Sequence, residues 1–485
     1  MLDSALPTPS FWDAENRTTR RGVLLTLLLL VWALGLLLLD AKSLWLDEAN
    51  GLRVTHLGLT ALWAGQTEQY HPPLFYWLLG QWMALGNGEF LLRFPSVVFS
   101  TLSVLVAYRL ARTWFGRAVA LTAALLVAFS PVLIWYAQEL RPYALLVLMG
   151  LITTVCATQL LLRPSANAWL LYAISVTAAI YLHYFALLLF GVHAVAWIAL
   201  LAVRRTAWRT GTFLLAAWGA AFMAYWPWMQ TPAFAAFLRL PTDSSNYVAI
   251  LLTQRFGVPA ALMQYVNFWL ALAAVGGVAM LALLYWALRA MHRRHYWDRL
   301  RSQRWLQVVA AALFALFLIA FVVPRAYTAK RQLLLLVPYL LLAFAWWWPW
   351  HARRRWLLAT LAVLSLAAAL TNVLLIPKNQ WREAAAYIGR HAQPTDLVLL
   401  TPSYMTIPYE LYAPAEVARE GLSYALDEAA LTTLQTQHDR IWLIVDPFDT
   451  DPDHHLQQWL DEHAHLAETV PFYRLDVQLY TPAAP

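Results

Sequence analysis

The sequence predicts an α-helical polytopic membrane protein of about eleven transmembrane helices, with a C-terminal extracytoplasmic α/β domain. Three observations carry that expectation. Hydrophobic residues make up 61% of the 485-residue chain and charged residues 13%, against about 25% charged in an ordinary soluble domain. Apolar runs of the length needed to cross roughly 30 Å of hydrocarbon recur along residues 1–377. The net charge of +7 is also unevenly held. Residues 1–377 carry 28 Lys/Arg and 11 Asp/Glu, a net of +17, whereas residues 378–485 carry 6 and 16, a net of −10. The two parts therefore belong in different surroundings.

Eleven runs read as spans, near 22–39, 91–110, 118–135, 143–161, 168–182, 184–203, 211–229, 264–288, 305–323, 333–350 and 356–376. The stretch 168–203 is one apolar run cut at His183. The first run follows Arg20 and Arg21 but lacks a clear small-residue cleavage site, and many spans follow it, so an uncleaved helix is expected. With the N-terminus cytoplasmic, the inner side holds 19 of the 28 basic residues, in agreement with the positive-inside bias. An odd number of spans then places the C-terminal part outside a plasma membrane. The arginines are scattered between apolar runs rather than gathered on one face, which argues against a nucleic-acid partner. The single cysteine, Cys156, allows no intrachain disulfide.

Two domains follow: a transmembrane part, 1–377, with a long first external loop at 41–90, and a soluble part, 378–485. In the loop, Leu52, Leu59, Leu62 and Trp63 are spaced like a helix lying on a membrane surface. In the soluble part, helix-like stretches at 381–391, 426–436 and 454–464 alternate with strand-like ones at 397–400, 441–445 and 475–480. That alternation predicts a small layered α/β structure.

Beyond the N-terminal tail, the membrane part has eight carboxylates: Asp40, Asp47, Glu48, Glu68, Glu89, Glu139, Asp243 and Asp298. All but Asp298 fall on the outer side, so groups able to activate a hydroxyl concentrate there. Asp47 and Glu48 follow the first span. On a helix, neighbours point about 100° apart, so one can face an acceptor while the other orients the loop. Two solvated loop acids would give the same sequence. Tyr70-His71-Pro-Pro-Leu-Phe-Tyr-Trp77 reads as an ordered turn, or as an aromatic belt with a helix breaker. Glu139 and Arg141 stand together in Gln-Glu-Leu-Arg-Pro-Tyr143, as functional groups, as an internal ion pair or with a snorkelling arginine. His183 marks another outer turn. Arg325, Lys330 and Arg331 bring three cations to a side expected to be poor in them. A lipid phosphate would account for them, and so would interfacial anchoring.

His292, His295, His454, His455, His463 and His465 form no metal-ligand pattern, so no metal is expected. Neither a P-loop nor a dinucleotide fingerprint is present. No cofactor is expected, and without a nucleotide site a lipid suits better than a nucleotide as the carrier of any activated sugar.

The ordered set of motifs resembles a known family. An Asp-Glu pair after the first span is followed by His-Pro-Pro-Leu-Phe-Tyr-Trp, Glu-Phe-Leu-Leu-Arg-Phe-Pro-Ser (89–96), Gln-Glu-Leu-Arg-Pro-Tyr (138–143) and Arg-Ala-Tyr-Thr-Ala-Lys-Arg (325–331). The order is similar to that of the GT-C glycosyltransferases of the protein mannosyltransferase and aminoarabinose transferase superfamily, family 39-like. The resemblance implies a GT-C helical bundle and inverting, metal-independent transfer from a polyprenyl-phosphate sugar to a lipid, glycan or protein acceptor. It implies Asp47 as catalytic base, with Glu48 supporting substrate placement. Arg325, Tyr327, Lys330 and Arg331 would bind the donor phosphate. His71, Arg93, Glu139, Arg141, Tyr143 and His183 would shape the site.

Other classes are a transporter or lipid flippase, and a non-catalytic membrane scaffold. A transporter calls for mid-span ionisable residues and matching interrupted halves, whereas these spans are nearly free of charge away from their ends. A scaffold has no need of the ordered polar motifs. The enzyme reading requires the loop aspartate and the distant cations to converge on one cavity.

Overall fold

The computed structural model describes residues 17–66, 71–203, 207–238, 332–347, 355–422, 428–446 and 455–482. The chain divides into two compact units. One comprises Met1–Leu37, Leu57–Leu85 and Arg93–Leu370; the other comprises Leu38–His56, Gly86–Leu92 and Thr371–Pro485. Two stretches of the first loop thus pack with the C-terminal segment.

The first unit is helical. Its elements are drawn from α1 (Arg17–Leu36), α2 (Leu46–Trp63), α3 (Leu74–Met83), α4 (Glu89–Phe115), α5 (Arg117–Ala128), α6 (Pro131–Ala137), α7 (Tyr143–Leu162), α8 (Ala166–Leu182), α9 (Leu188–Val203), α10 (Ala207–Met229), α11 (Pro232–Leu238), α12 (Val337–Trp347) and α13 (Arg355–Leu374). Among the described residues, three helices are long and apolar enough to cross a membrane: Glu89–Phe115, Tyr143–Leu162 and Trp356–Leu374. A bent pair, α5 and α6, makes a fourth if it counts as one span. The runs expected at 264–288 and 305–323 lie outside the described residues.

The span expected at 118–135 is bent by 55°. Ser130 is extended, and Pro131, which has no N–H to give, starts the new helix. The cut expected at His183 is present: this residue ends α8 in an extended conformation, and a short 3₁₀ turn at Tyr184–Leu187 leads into α9. In the loop, α2 is kinked at Gly58, where φ is 83°.

Polar side chains link the apolar helices, as they must where backbone and side-chain groups are shut away from water. Thr154 on α7 meets Tyr339 of α12 at 2.7 Å and His193 of α9 at 3.2 Å. The other ring nitrogen of His193 meets the Tyr172 hydroxyl at 2.9 Å, and Trp218 donates to that hydroxyl at 2.8 Å. Gly150 permits the 332–336 turn to come close to α7, since a Cβ there would collide with Leu335 Cδ1.

The second unit holds a five-stranded sheet of order β2-β1-β3-β5-β4, formed by β1 (Leu397–Leu400), β2 (Ala418–Gly421), β3 (Ile441–Val445), β4 (Ala464–Phe472) and β5 (Leu475–Pro482). Strands β2, β1 and β3 run parallel, and β5 and β4 are antiparallel additions. Alternate residues of each strand point to opposite faces. Val398, Leu400, Trp442 and Ile444 meet Trp381, Ala384, Ala385 and Ile388 of α14 (Trp381–His391). Leu397, Leu399, Ile441, Leu443 and Val445 meet Leu431 of α16 (Glu428–Gln437) and Leu456, Trp459 and Leu460 of α17 (His455–His463). A one-turn helix, α15 (Thr406–Glu410), follows β1. This is the layered α/β structure that the alternating stretches predict, with β2 and β4 added.

Candidate active site

In the first unit, the segment between α6 and α7 is fixed from several sides. Gln138 Nε2 donates to the carbonyls of Leu34, Gly35 and Leu37 at 3.2, 3.2 and 2.7 Å, answering acceptors that the end of α1 leaves open. Ser96 of α4 donates to the Glu139 carbonyl at 2.7 Å, and the Glu139 carboxylate accepts from Trp135 Nε1 at 2.9 Å. Arg93, one helical turn before Ser96, is buried, as are Glu139 and Arg141.

These ties hold Arg141 against an aromatic cluster. Its guanidinium carbon lies 5.7 Å from the centre of the Tyr143 ring, within the range of a cation–π contact. Tyr143 and His183 are 6.1 Å apart by ring centres, and His183 and His71 are 4.9 Å apart. Four of the expected site-shaping residues, His71, Arg141, Tyr143 and His183, therefore come together from three separate stretches of sequence. Glu139 adjoins them in the chain.

The histidines are held uncharged. Burial lowers the pKa of His71 to about 3, with the Arg141 cation adding to the shift. Burial lowers that of His183 well below the usual range, helped by His71 and Arg141. Phe185 N donates to His183 Nδ1 at 3.2 Å, which leaves the hydrogen on Nε2. His183 Nε2 and His71 Nδ1 are buried without a hydrogen-bonding partner among the described residues. A neutral donor, a neutral ring nitrogen and a guanidinium side by side suit a ligand with hydroxyls and negative charge.

In the second unit, Asp47 and Glu48 lie in the first turn of α2 with different surroundings. Asp47 is half-buried. Glu48 is fully buried; Lys378 Nζ donates to its Oε2 at 3.1 Å, and Trp45 N approaches the same oxygen at 3.4 Å. Glu89 also meets a cation, Arg382, at 3.2 Å. Sequence reasoning missed Lys378, Arg382, Ser43 and Tyr412. One signal was available: two of only six basic residues in the acidic segment stand in its first five positions.

The expected phosphate-binding residues Arg325, Tyr327, Lys330 and Arg331 lie outside the described residues, as do Glu68 and Asp243. His463 stacks on Trp459 and bonds to its carbonyl oxygen at 2.8 Å. Among the described residues, no three His, Cys, Asp or Glu side chains gather in a way that could hold a metal ion.

The chain shares the fold of solved GT-C membrane glycosyltransferases. ArnT from Cupriavidus metallidurans bound to undecaprenyl phosphate aligns with 96% of this chain and 98% of its own, at 15% identity and a TM-score of 0.50. Its apo form aligns with 95% and 98%, at 14% identity and 0.51. The Archaeoglobus fulgidus oligosaccharyltransferase, tethered with an acceptor peptide containing the NVT sequon, aligns with 89% of this chain and 69% of its own, at 11% identity and 0.50. Likeness at such identities is likeness of fold.

The family resemblance carried by the motifs is borne out over part of the chain. Residues 70–230 match the family described as dolichyl-phosphate-mannose-protein mannosyltransferase. The matched segment contains His71, Arg93, Glu139, Arg141, Tyr143 and His183, and it begins after Asp47 and Glu48. A search of curated proteins finds no match.

Proposed function

We propose that the protein is a membrane glycosyltransferase that moves a sugar from a polyprenyl-phosphate donor to an acceptor hydroxyl on the extracytoplasmic face, with inversion. The observation that carries this reading is the assembly of His71, Arg141, Tyr143 and His183 within the segment that matches the mannosyltransferase family. A transfer site for a sugar phosphate needs hydroxyl-binding groups beside positive charge, and these residues supply both.

In the proposed reaction the Asp47 carboxylate takes the proton of the acceptor hydroxyl. The freed oxygen pair attacks the anomeric carbon from the face opposite the phosphate. The bond from that carbon to the phosphate oxygen breaks, and its electron pair leaves on the polyprenyl phosphate. One displacement inverts the centre. Arg325, Lys330 and Arg331, with Tyr327, are assigned to the departing phosphate, where preorganised cations stabilise charge as it develops. Glu48 is assigned to orienting the loop that carries Asp47. Membrane lipid surrounds the helices, and the acceptor is a lipid, glycan or protein. The localisation proposed is a multi-pass position in the plasma membrane, with the N-terminus cytoplasmic and the C-terminal domain outside.

The test is incubation of the purified protein with a panel of polyprenyl-phosphate sugars, with released lipid phosphate detected by mass spectrometry. Release from at least one donor is expected. Absence of both transfer and hydrolysis with every donor would favour transport instead.

A further inference from the structure

In an open α/β sheet, ligands bind outside the carboxyl ends of the parallel strands, where the strand order reverses. In the second unit that point lies at β1, flanked by β2 and β3. The chain's own first loop is tied there. Asp446, directly after β3, accepts from Asn379 Nδ2 at 3.2 Å, and the neighbouring Lys378 pairs with Glu48. Tyr412, two residues beyond α15 on the way out of β1, accepts from Leu44 N at 2.8 Å and donates to the Glu89 carboxylate. The first turn of α14 completes the attachment. Arg382 donates to the carbonyls of Asp40 and Ala41 at 3.2 and 2.9 Å, and to Glu89. Ser43 Oγ donates to Glu383 at 2.9 Å.

We infer that Lys378, Arg382 and Tyr412 are positioning residues for sugar transfer, and that the C-terminal domain serves to hold segment 40–48, and Asp47 within it, in place. The inference rests on the transferase reading with Asp47 as base. Asp47 and Glu48 are consecutive in one helical turn, so fixing the Glu48 carboxylate on a buried ammonium fixes the origin of the Asp47 side chain. A shift of about 1 Å at a reacting group can cost on the order of 100-fold in rate.

The test uses the full-length protein in detergent micelles. Hydrogen exchange is followed over residues 40–48, and kcat and KM are measured with a polyprenyl-phosphate sugar on which the wild type turns over. For Lys378→Met, faster exchange in 40–48 is expected, with kcat lower by on the order of 100-fold and KM for the donor unchanged. Tyr412→Phe removes only a hydroxyl and should show the same split to a smaller degree. The charge swap E48K/K378E should recover kcat above either single change, which separates a broken attachment from a damaged fold. Wild-type kcat in both Lys378→Met and Tyr412→Phe, or unchanged exchange of the loop in both, would overturn the inference alone. A wild type without turnover on any donor would instead remove the transferase reading beneath it.

Discussion

Glu48 Oε2 lies 3.1 Å from Lys378 Nζ, across 330 positions of sequence, with side-chain exposures of 0% and 7%. A buried pair of this kind contributes little net stability against an apolar substitute, yet removing one partner is costly because the other buried charge loses part of its compensation. Glu48→Gln should therefore destabilise the protein by about 3–5 kcal/mol, seen as a lowered melting temperature. The double variant E48L/K378M should regain much of that loss. An additive double variant would show that the pair is not coupled.

A second buried carboxylate lies within the sheet domain. Asp396 accepts from Arg440 Nη2 at 2.7 Å and Nε at 3.0 Å, from Trp442 Nε1 at 2.8 Å and from Gln393 N at 2.9 Å. Asp396→Ala strips the acceptors from a buried indole and a backbone N–H at once. The expected cost is roughly 3 kcal/mol or more, with urea unfolding of the domain followed by tryptophan fluorescence. A midpoint equal to that of the wild type would contradict this.

The histidine pair predicts a pH effect with a definite sign. A histidine whose folded pKa is depressed takes up a proton more readily when unfolded, so its contribution to stability is present above the unfolded pKa and lost as pH falls toward the folded one. For His71 that window runs from 6.5 down to about 3, and the shift of His183 has the same direction. The melting temperature should drop as pH falls from about 7 to 5, and less steeply in His71→Gln. Parallel curves for the two proteins would disprove the assignment.

Much of the fold is legible in local sequence. The helix at 381–391 and the strands at 397–400 and 441–445 fall where expected, because each concentrates apolar side chains on one or both faces. Strand β4 escaped because most of its side chains are exposed and it is held by backbone pairing to β5, which leaves no hydrophobic alternation to read. The bend between α5 and α6 was signalled by Ser130-Pro131 but hidden inside an unbroken apolar run. The attachment of Glu48, Glu89 and Leu44 to Lys378, Arg382 and Tyr412 joins residues some 300 positions apart, beyond any periodicity. The conjunction of His71 with His183 is of the same kind.

Arg141 and the 325–331 cations both bring positive charge to the proposed site, and kinetics should separate their contributions. Neutralising Arg325 or Arg331 should raise the apparent KM for the lipid donor first, because ground-state binding of the phosphate weakens. Arg141→Gln removes the positive charge beside the two histidines and should lower kcat as well. Unchanged parameters for Arg325→Gln and Arg331→Gln would make those residues membrane anchors.

The central claim is that Asp47 removes a proton from the acceptor, and single-turnover release of lipid phosphate by Asp47→Asn tests it most directly. The account predicts a protein that expresses and melts like the wild type but releases lipid phosphate slower by on the order of 10²–10⁴-fold. Wild-type release by Asp47→Asn would contradict it.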